Sequence, residues 1–305
     1  MLSVLIPIYN ADVSNLVNEL HTQLIQTGYP FEIICIDDAS TLHFEANIKL
    51  QSINELRYES LTNNIGRAAI RNKLASEANF ETLLFIDSDM QVLNSNFILN
   101  YLREIDSHDV VYGGIFYPSS ISNKSHILRW KYGREKEAIS ADLRMKDKYL
   151  SVKTCNLLIR KNIFLNIRLN ENIQQYGHED TLFCIELEKH GSNILHINNP
   201  LLHAGLEDAD AYLQKVMEAC KSLQFIAYSL LSKQERNKIR LIYFYEKLDK
   251  MGVLVLLNII YTLLERKINR NLTSTNPSML LLDFYKLICY YRLNKNLSDT
   301  FVNFQ

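Results

Sequence analysis

Two carboxylates separated by one small residue, Asp87-Ser88-Asp89, close the apolar run Leu83-Leu84-Phe85-Ile86. Acids this close raise each other's proton affinity, and burying them is costly unless a cation or strong donors compensate. A divalent metal is the natural compensation. Carboxylate oxygens suit Mg2+ or Mn2+, ions that keep open positions for phosphate oxygens, so the segment reads as a platform for a metal and a diphosphate. The plainer alternative is an acidic turn after a buried strand, and other residues must decide between them. Three further segments carry usable chemistry: Pro7-Ile8-Tyr9-Asn10, Asp37-Asp38 and Asn63-Asn64-Ile65-Gly66-Arg67. Pro7 restrains the backbone, Tyr9 offers a flat face for a nucleobase, and Asp37 or Asp38 can accept from a base or ribose donor. Arg67 and Arg71, four apart on one helical face behind Gly66, can hold anions at a helix N-terminus.

The elements that must position these groups follow from periodicity. The first half alternates short β-branched runs with polar helical stretches, the pattern of a mostly parallel sheet flanked by helices. Strands are expected at 4–8, 31–36, 56–60, 83–86, 110–112, 154–159 and 193–197. A helix over 11–27 places Val13, Leu16, Val17, Leu20, Leu24 and Ile25 on one face and stops at Gly28. A second runs from Gly66 through Ala78, and a third begins at Glu179-Asp180 with Leu182, Phe183, Ile185 and Leu187 on its apolar face. The stretch after Gly113-Gly114, with Lys124, Arg129, Trp130, Lys131 and Arg134, is expected to be irregular or helical and partly mobile. In an open parallel sheet, ligands bind beyond the carboxyl ends of the strands, and all four marked segments fall at such ends.

At 305 residues and 47% hydrophobic content, the chain can bury a full α/β core and still carry a second region. The formal net charge of −1 argues against nucleic acid as a partner. That near-neutrality conceals an asymmetry: from Ala211 onward 14 basic residues face 7 acidic ones, so the tail is basic and the body acidic. Cys35, Cys155, Cys184, Cys220 and Cys289 form no Cys-X-X-Cys pair and read as buried thiols in a reducing compartment. The first apolar run is broken by Pro7 and has no basic leader, so a cytoplasmic protein is expected. The run 253–264 is too short to span a bilayer and is apolar nearly all round, which predicts burial between helices. The basic tail has two readings: a helical cap that packs or forms a homodimer, or a surface that meets the inner face of the plasma membrane.

Val4-Leu5-Ile6-Pro7-Ile8-Tyr9-Asn10, Glu32-Ile33-Ile34-Cys35-Ile36-Asp37-Asp38-Ala39-Ser40, Asn64-Ile65-Gly66-Arg67-Ala68-Ala69-Ile70-Arg71-Asn72 and Phe85-Ile86-Asp87-Ser88-Asp89 together resemble the successive blocks of family 2 glycosyltransferases with the GT-A fold. The resemblance covers roughly residues 2–205 in order and spacing. It implies an α/β GT-A domain over 1–205, with a nucleotide-sugar-binding half (1–114) and an acceptor-binding half (115–205), followed by a helical region over 206–305. It also implies an inverting enzyme using a nucleotide-diphosphate sugar, expected to be a UDP-sugar, with Mn2+ or Mg2+. The acceptor would be a saccharide or lipid-linked saccharide in surface polysaccharide or glycoconjugate synthesis.

Position by position, the resemblance puts Pro7 and Tyr9 on the base pocket, Asp38 at the base and Arg67 beside the nucleotide, with Asn64, Gly66 and Ser88 completing the set. Asp87 would lie near the ribose or donor sugar, and Asp89 and His203 would bind the metal. The family's later acidic motif matches Glu179-Asp180. Inverting transfer is one displacement, so a carboxylate must take the acceptor's proton opposite the leaving group. Asp180 is the expected base and Glu179 the orienting acid, with the reverse order also open; a helix start should lower the proton affinity of either. Ala39 and Ile70 depart from the residues common in the family without touching these groups. No Gln-X-X-Arg-Trp follows Asp180, which implies one sugar added per encounter. Specificity is expected in the loops around 113–134 and 174–178.

Other readings are a haloacid-dehalogenase-like phosphatase, a phosphate-receiver domain and a catalytically inactive sugar-nucleotide-binding module. The phosphatase motif wants Thr or Val where this chain has Gln91, and it sits near the start of its fold. A receiver leaves Pro7-Ile8-Tyr9-Asn10 and Glu179-Asp180 unexplained. An inactive module has no reason to keep Asp89, Asp180 and His203 together.

Overall fold

The structure is a computed structural model and describes residues 1–173 and 175–295, so Gln174, at the head of one expected specificity loop, lies outside the described residues. Short runs rich in Val, Ile, Leu and Phe form the strands β1 (Leu2–Ile8), β2 (Phe31–Asp37), β3 (Leu56–Ser60), β4 (Thr82–Ile86), β5 (Met90–Gln91), β6 (Val110–Tyr112), β7 (Ile115–Phe116), β8 (Asn156–Arg160), β9 (Ile194–His196) and β10 (Leu201–His203). Seven pair into one sheet in the order β3-β2-β1-β4-β8-β6-β9. The expected parallel pairing holds for β3-β2-β1-β4 and for β6-β9, while β8 runs antiparallel to both of its neighbours. Every residue of β1 and β4 is buried, as strands covered on both faces require.

Pro7 lies inside β1, in register with Ile36, rather than beyond the strand end. It is tolerated because β4, on the other side of β1, is in register only with Ser3 to Leu5, so the missing N–H breaks no bond there. The strand order reverses at β1, with β2 and β3 on one side and β4 on the other. At such a switch point the outgoing loops diverge and leave a crevice, and here they carry Tyr9 and Asp87.

Helix Ser14–Thr27 buries Leu16, Val17, Leu20 and Leu24 and ends at left-handed Gly28 (φ 63°). Ile25, expected on that face, is instead 55% exposed. A second sheet, β5-β10-β7, was not expected, since strands of two or three residues carry no readable period. It is small but consequential. Its antiparallel register sets His203 opposite Met90, one residue from Asp89.

Two compact units are distinguished. The first comprises residues 1–118, 136–172 and 179–205 and contains both sheets. The second comprises 119–135, 173–178 and 206–305. The first unit ends at Gly205, and two segments of the preceding chain cluster with the helical unit. One of them contains helix Ile127–Tyr132, in the stretch expected to be irregular or helical.

The second unit is built from helices Ala209–Ser229, Lys233–Lys238, Arg240–Lys250, Val253–Leu272 and Met279–Asn294. Its interior holds a buried cation. Arg292 donates to Asn258 Oδ1 (2.8 Å) and Thr262 Oγ1 (2.9 Å), lies 3.9 Å from Glu265 and stacks over Tyr261. The expected burial of 253–264 between helices is met on one side only, through Leu254 and Tyr261. The opposite side is exposed.

Candidate functional site

The loop after β2 and the start of helix Arg67–Glu77 are joined by one carboxylate. Asp38 Oδ1 accepts from Ile65 N–H (2.7 Å) and Oδ2 from Gly66 N–H (3.0 Å), while its carbonyl accepts from Asn64 Nδ2 (3.1 Å). Asp38 is buried, so its observed work is to shape this loop rather than to reach outward. Gly66 needs its φ of 90° to enter the helix, a conformation that L side chains rarely adopt. Asp37 is occupied too, accepting from Ser40 N–H (2.7 Å) and Tyr58 Oη (3.0 Å). In the loop after β1, Asn10, at φ 52°, accepts from Thr41 and Leu42 N–H and holds the turn beside Tyr9. Tyr9 is 56% exposed at the end of β1, which leaves its ring face open to a planar ligand.

Four acids gather beyond the end of β4 and at the start of helix Glu179–His190, and each has a different partner. Asp87 Oδ1 accepts from Arg71 Nη2 at 2.5 Å. Asp89 Oδ2 lies 3.5 Å from His203 Nε2. Glu179 Oε1 accepts from Arg67 Nε at 2.8 Å. Asp180 Oδ1 accepts from Thr154 Oγ1 at 2.9 Å and from Thr154 N–H at 3.3 Å. The two arginines expected to lie on one helical face thus serve two acids from different parts of the chain. Arg71 is buried beside Asp87, whereas Arg67 remains 48% exposed.

These partners separate the proton affinities. Burial raises that of Asp87, but the Arg71 and Arg67 charges outweigh it and hold the carboxyl below its ordinary range. Glu179 behaves alike: burial is overcome by Arg67, so it stays ionised. Asp180 goes the other way, because burial and the neighbouring Glu179 charge together raise it, with Lys153 and Arg71 opposing. The expected lowering by the helix start is therefore reversed at Asp180, where desolvation and like charge win.

Asp89 and His203 are brought together by backbone as well as by register. Ala204 N–H donates to the Asp89 carbonyl at 2.9 Å, and a Cβ on Gly205 would stand 2.8 Å from Asp89 Cβ and Oδ2. Only glycine admits this approach. The His203 ring also stacks on buried Tyr117, with centroids 5.4 Å apart and planes at 17°, and the Tyr117 hydroxyl bonds Glu137. Gly205→Val is accordingly expected to keep the fold while displacing Asp89, seen as native circular dichroism with a Mn2+ titration shifted to higher concentration. An unshifted titration would show that the close approach does not matter.

As a metal centre the arrangement offers a carboxylate oxygen and an imidazole nitrogen, a donor pair that suits Mn2+. Among the described residues there is no group of three or more His, Cys, Asp or Glu able to hold an ion alone. The residues fit an ion that completes its shell with phosphate oxygens and water, as Mg2+ and Mn2+ do. Ser88 lies half-buried in the turn between the two acids, closed by Met90 N–H on the Asp87 carbonyl (3.2 Å).

Sequence reasoning missed Thr154, Tyr117 and Gly205 and did not foresee Arg71 as a counter-ion to Asp87. The Arg67/Arg71 spacing and the His203-Ala204-Gly205 string were the only local signals. Pro7, expected on the base pocket, is buried in β1.

The profile described as glycosyl transferase family 2 matches residues 3–166, which include Asp38, Arg67, Asp87 and Asp89 and end before Glu179. The chain is similar to the poly(ribitol-phosphate) beta-glucosyltransferase of Bacillus spizizenii strain W23, with 35% identity over 94 residues, 29% of this chain and only 14% of that relative. Its fold is similar to S. aureus TarS residues 1–349, with TM-score 0.51 and 16% identity, covering 97% of this chain and 91% of that one. It is also similar to the mannosyltransferase PcManGT from Pyrobaculum calidifontis, solved with GDP-Man and Mn2+, with TM-score 0.57 and 13% identity over 98% of this chain and 88% of that one. With the profile covering more than half of its residues, this α/β chain belongs to glycosyl transferase family 2.

Proposed function

We propose that the chain is an inverting glycosyltransferase that moves a sugar from a nucleoside diphosphate to an acceptor hydroxyl with the help of a divalent ion. The observation that carries this reading is the assignment of four acids to four partners. Asp87 and Glu179 are fixed and ionised by arginines, Asp89 faces His203, and Asp180, held by Thr154, has a raised proton affinity.

Asp180 is the general base. It is held by Thr154, and its proton affinity is closer to that of the acceptor than an ordinary aspartate's. Glu179, tied to Arg67, positions the start of the helix and supplies the charge that raises Asp180. Tyr9 faces the base, and Asp38 with Asn64 and Gly66 shapes the loop behind it. Arg67 and Ser88 lie beside the diphosphate, and Asp87 lies toward the ribose or sugar. Asp89 and His203 would hold the ion, which when bound offsets charge developing on the leaving diphosphate. Similarity to a poly(ribitol-phosphate) beta-glucosyltransferase, and to a TarS structure solved with UDP-GlcNAc, supports a UDP-sugar and a surface-polymer or glycoconjugate acceptor.

A phosphatase would need Asp87 as a nucleophile, yet its carboxylate is pinned by Arg71 and its charge is already stabilised. The test is a panel of nucleotide sugars incubated with Mn2+, scoring release of the free nucleoside diphosphate without acceptor. One sugar nucleotide hydrolysed only in the presence of metal is the expected result. Phosphate release from a monoester, with labelling of Asp87, would replace this reading by the phosphatase.

A further inference from the structure

Helix Val253–Leu272 is apolar on both sides: it buries Leu254, Tyr261, Ile268 and Leu272 and exposes a second apolar face. Its polar groups Asn258, Thr262 and Glu265 gather at buried Arg292, while Val255, Leu256, Ile259, Ile260, Leu263 and Leu264 are exposed, Leu263 by 79%. A helix that is apolar all round is ordinarily buried on every side. At 100° per residue these six side chains form one outward stripe, and Arg266, Lys267 and Arg270 continue the same stripe for the last turns. The preceding helix, Arg240–Lys250, packs against this one and exposes Tyr243 and Phe244, followed by Met251 at its end.

The charges over residues 240–272 are as one-sided as the apolar groups. The acids are half-buried in ion pairs: Glu246 with Arg236 (2.9 Å), Asp249 with Lys295 (3.3 Å) and Glu265 with Arg292 (3.9 Å). The exposed charges Arg240, Lys247, Lys250, Arg266, Lys267 and Arg270 are all basic. A second copy docked on this surface would set cations against cations with no exposed acid to answer them. An anionic lipid surface answers both properties at once, taking the leucines and isoleucines into the acyl boundary and the arginines and lysines among the headgroups. No described helix is long and apolar enough to cross a membrane, so the helix would lie in the interface.

We infer that the outward face of Val253–Leu272 is a binding surface for anionic membranes. This rests on the helical unit alone and not on the transferase reading. The full chain is expected to float with vesicles of equal parts phosphatidylcholine and phosphatidylglycerol, to stay behind with phosphatidylcholine alone, and to be released by salt. Leu256→Asp with Leu263→Asp should abolish flotation without lowering the melting temperature, because both side chains already face outward. Arg266→Gln, Lys267→Gln and Arg270→Gln together should weaken partitioning by about a hundredfold. The Asp180→Asn chain should float like the parent, which keeps this outcome separate from catalysis. Equal binding to neutral and anionic vesicles would overturn the inference. So would a chain that stays in solution with both as a dimer that Leu263→Asp dissociates, which would assign the stripe to a second copy.

Discussion

Asp180→Asn leaves nucleotide-sugar binding nearly unchanged and lowers transfer by about a hundred- to ten-thousandfold, the range for losing a positioned general base. Asparagine keeps the oxygen that accepts from Thr154 Oγ1, so the side chain stays in place and only the proton-accepting charge is lost. Stability should move the opposite way. Burial, and then the Glu179 charge, raise Asp180's proton affinity in the folded chain. For an acid raised on folding, the native state binds more protons, so stability falls as pH rises through the window between the ordinary and the raised value. Above that window the loss is complete, and the uncharged Asn removes it. Transfer assays and thermal melts on one variant should therefore show a nearly inactive chain that melts no lower than the parent.

The same residue sets the acid limb of the pH–rate profile. Asp180 works only when ionised, so the rate should fall as pH drops through a value above the ordinary aspartate range. The charged groups acting on it are Glu179 and Asp87, which raise it, and Lys153 and Arg71, which lower it. Thr154→Val removes the hydroxyl bond that favours the carboxylate and should push the limb higher still. If Asp180→Asn retains near-parental transfer, or the limb stays put in Thr154→Val, the base is another group.

The parts of this site that could be read in the chain are those with a local signature. The apolar run of β4 and the acids that end it are adjacent in sequence, and the 110–112 strand appears where its β-branched run predicts it. Helix Arg67–Glu77 begins beside its glycine for a backbone reason. What stayed hidden depends on distant partners. Two residues of β5 and three of β10 have no period, yet their pairing is what sets His203 at Asp89. Nothing near Arg71 says that its partner is Asp87 rather than a ligand, because a buried ion pair is a property of packing. The 253–272 helix misled for a related reason. Its Asn and Thr look like interruptions of an apolar helix until Arg292, 30 residues or more away, shows which side is in.

Asp89→Ala should remove metal-coupled nucleotide binding, and His203→Ala should weaken it. The parent supplies two side-chain donors and no third among the described acids, histidines and cysteines. Mn2+ alone should therefore bind weakly, and UDP should tighten it by adding phosphate oxygens to the shell. Outer-shell changes at metal sites cost about ten- to a hundredfold in affinity, so loss of a direct carboxylate should reach at least the upper end of that range. Asp87→Asn provides the contrast. Its oxygen is held by Arg71 rather than by His203, so the nucleotide should bind less well while the Mn2+ midpoint measured by electron paramagnetic resonance moves little. The two acids of Asp87-Ser88-Asp89 then separate by experiment as they do by partner. If Asp89→Ala and Asp87→Asn shift the Mn2+ midpoint equally, the pair acts as one acidic turn and the assignment of the metal to Asp89 and His203 fails.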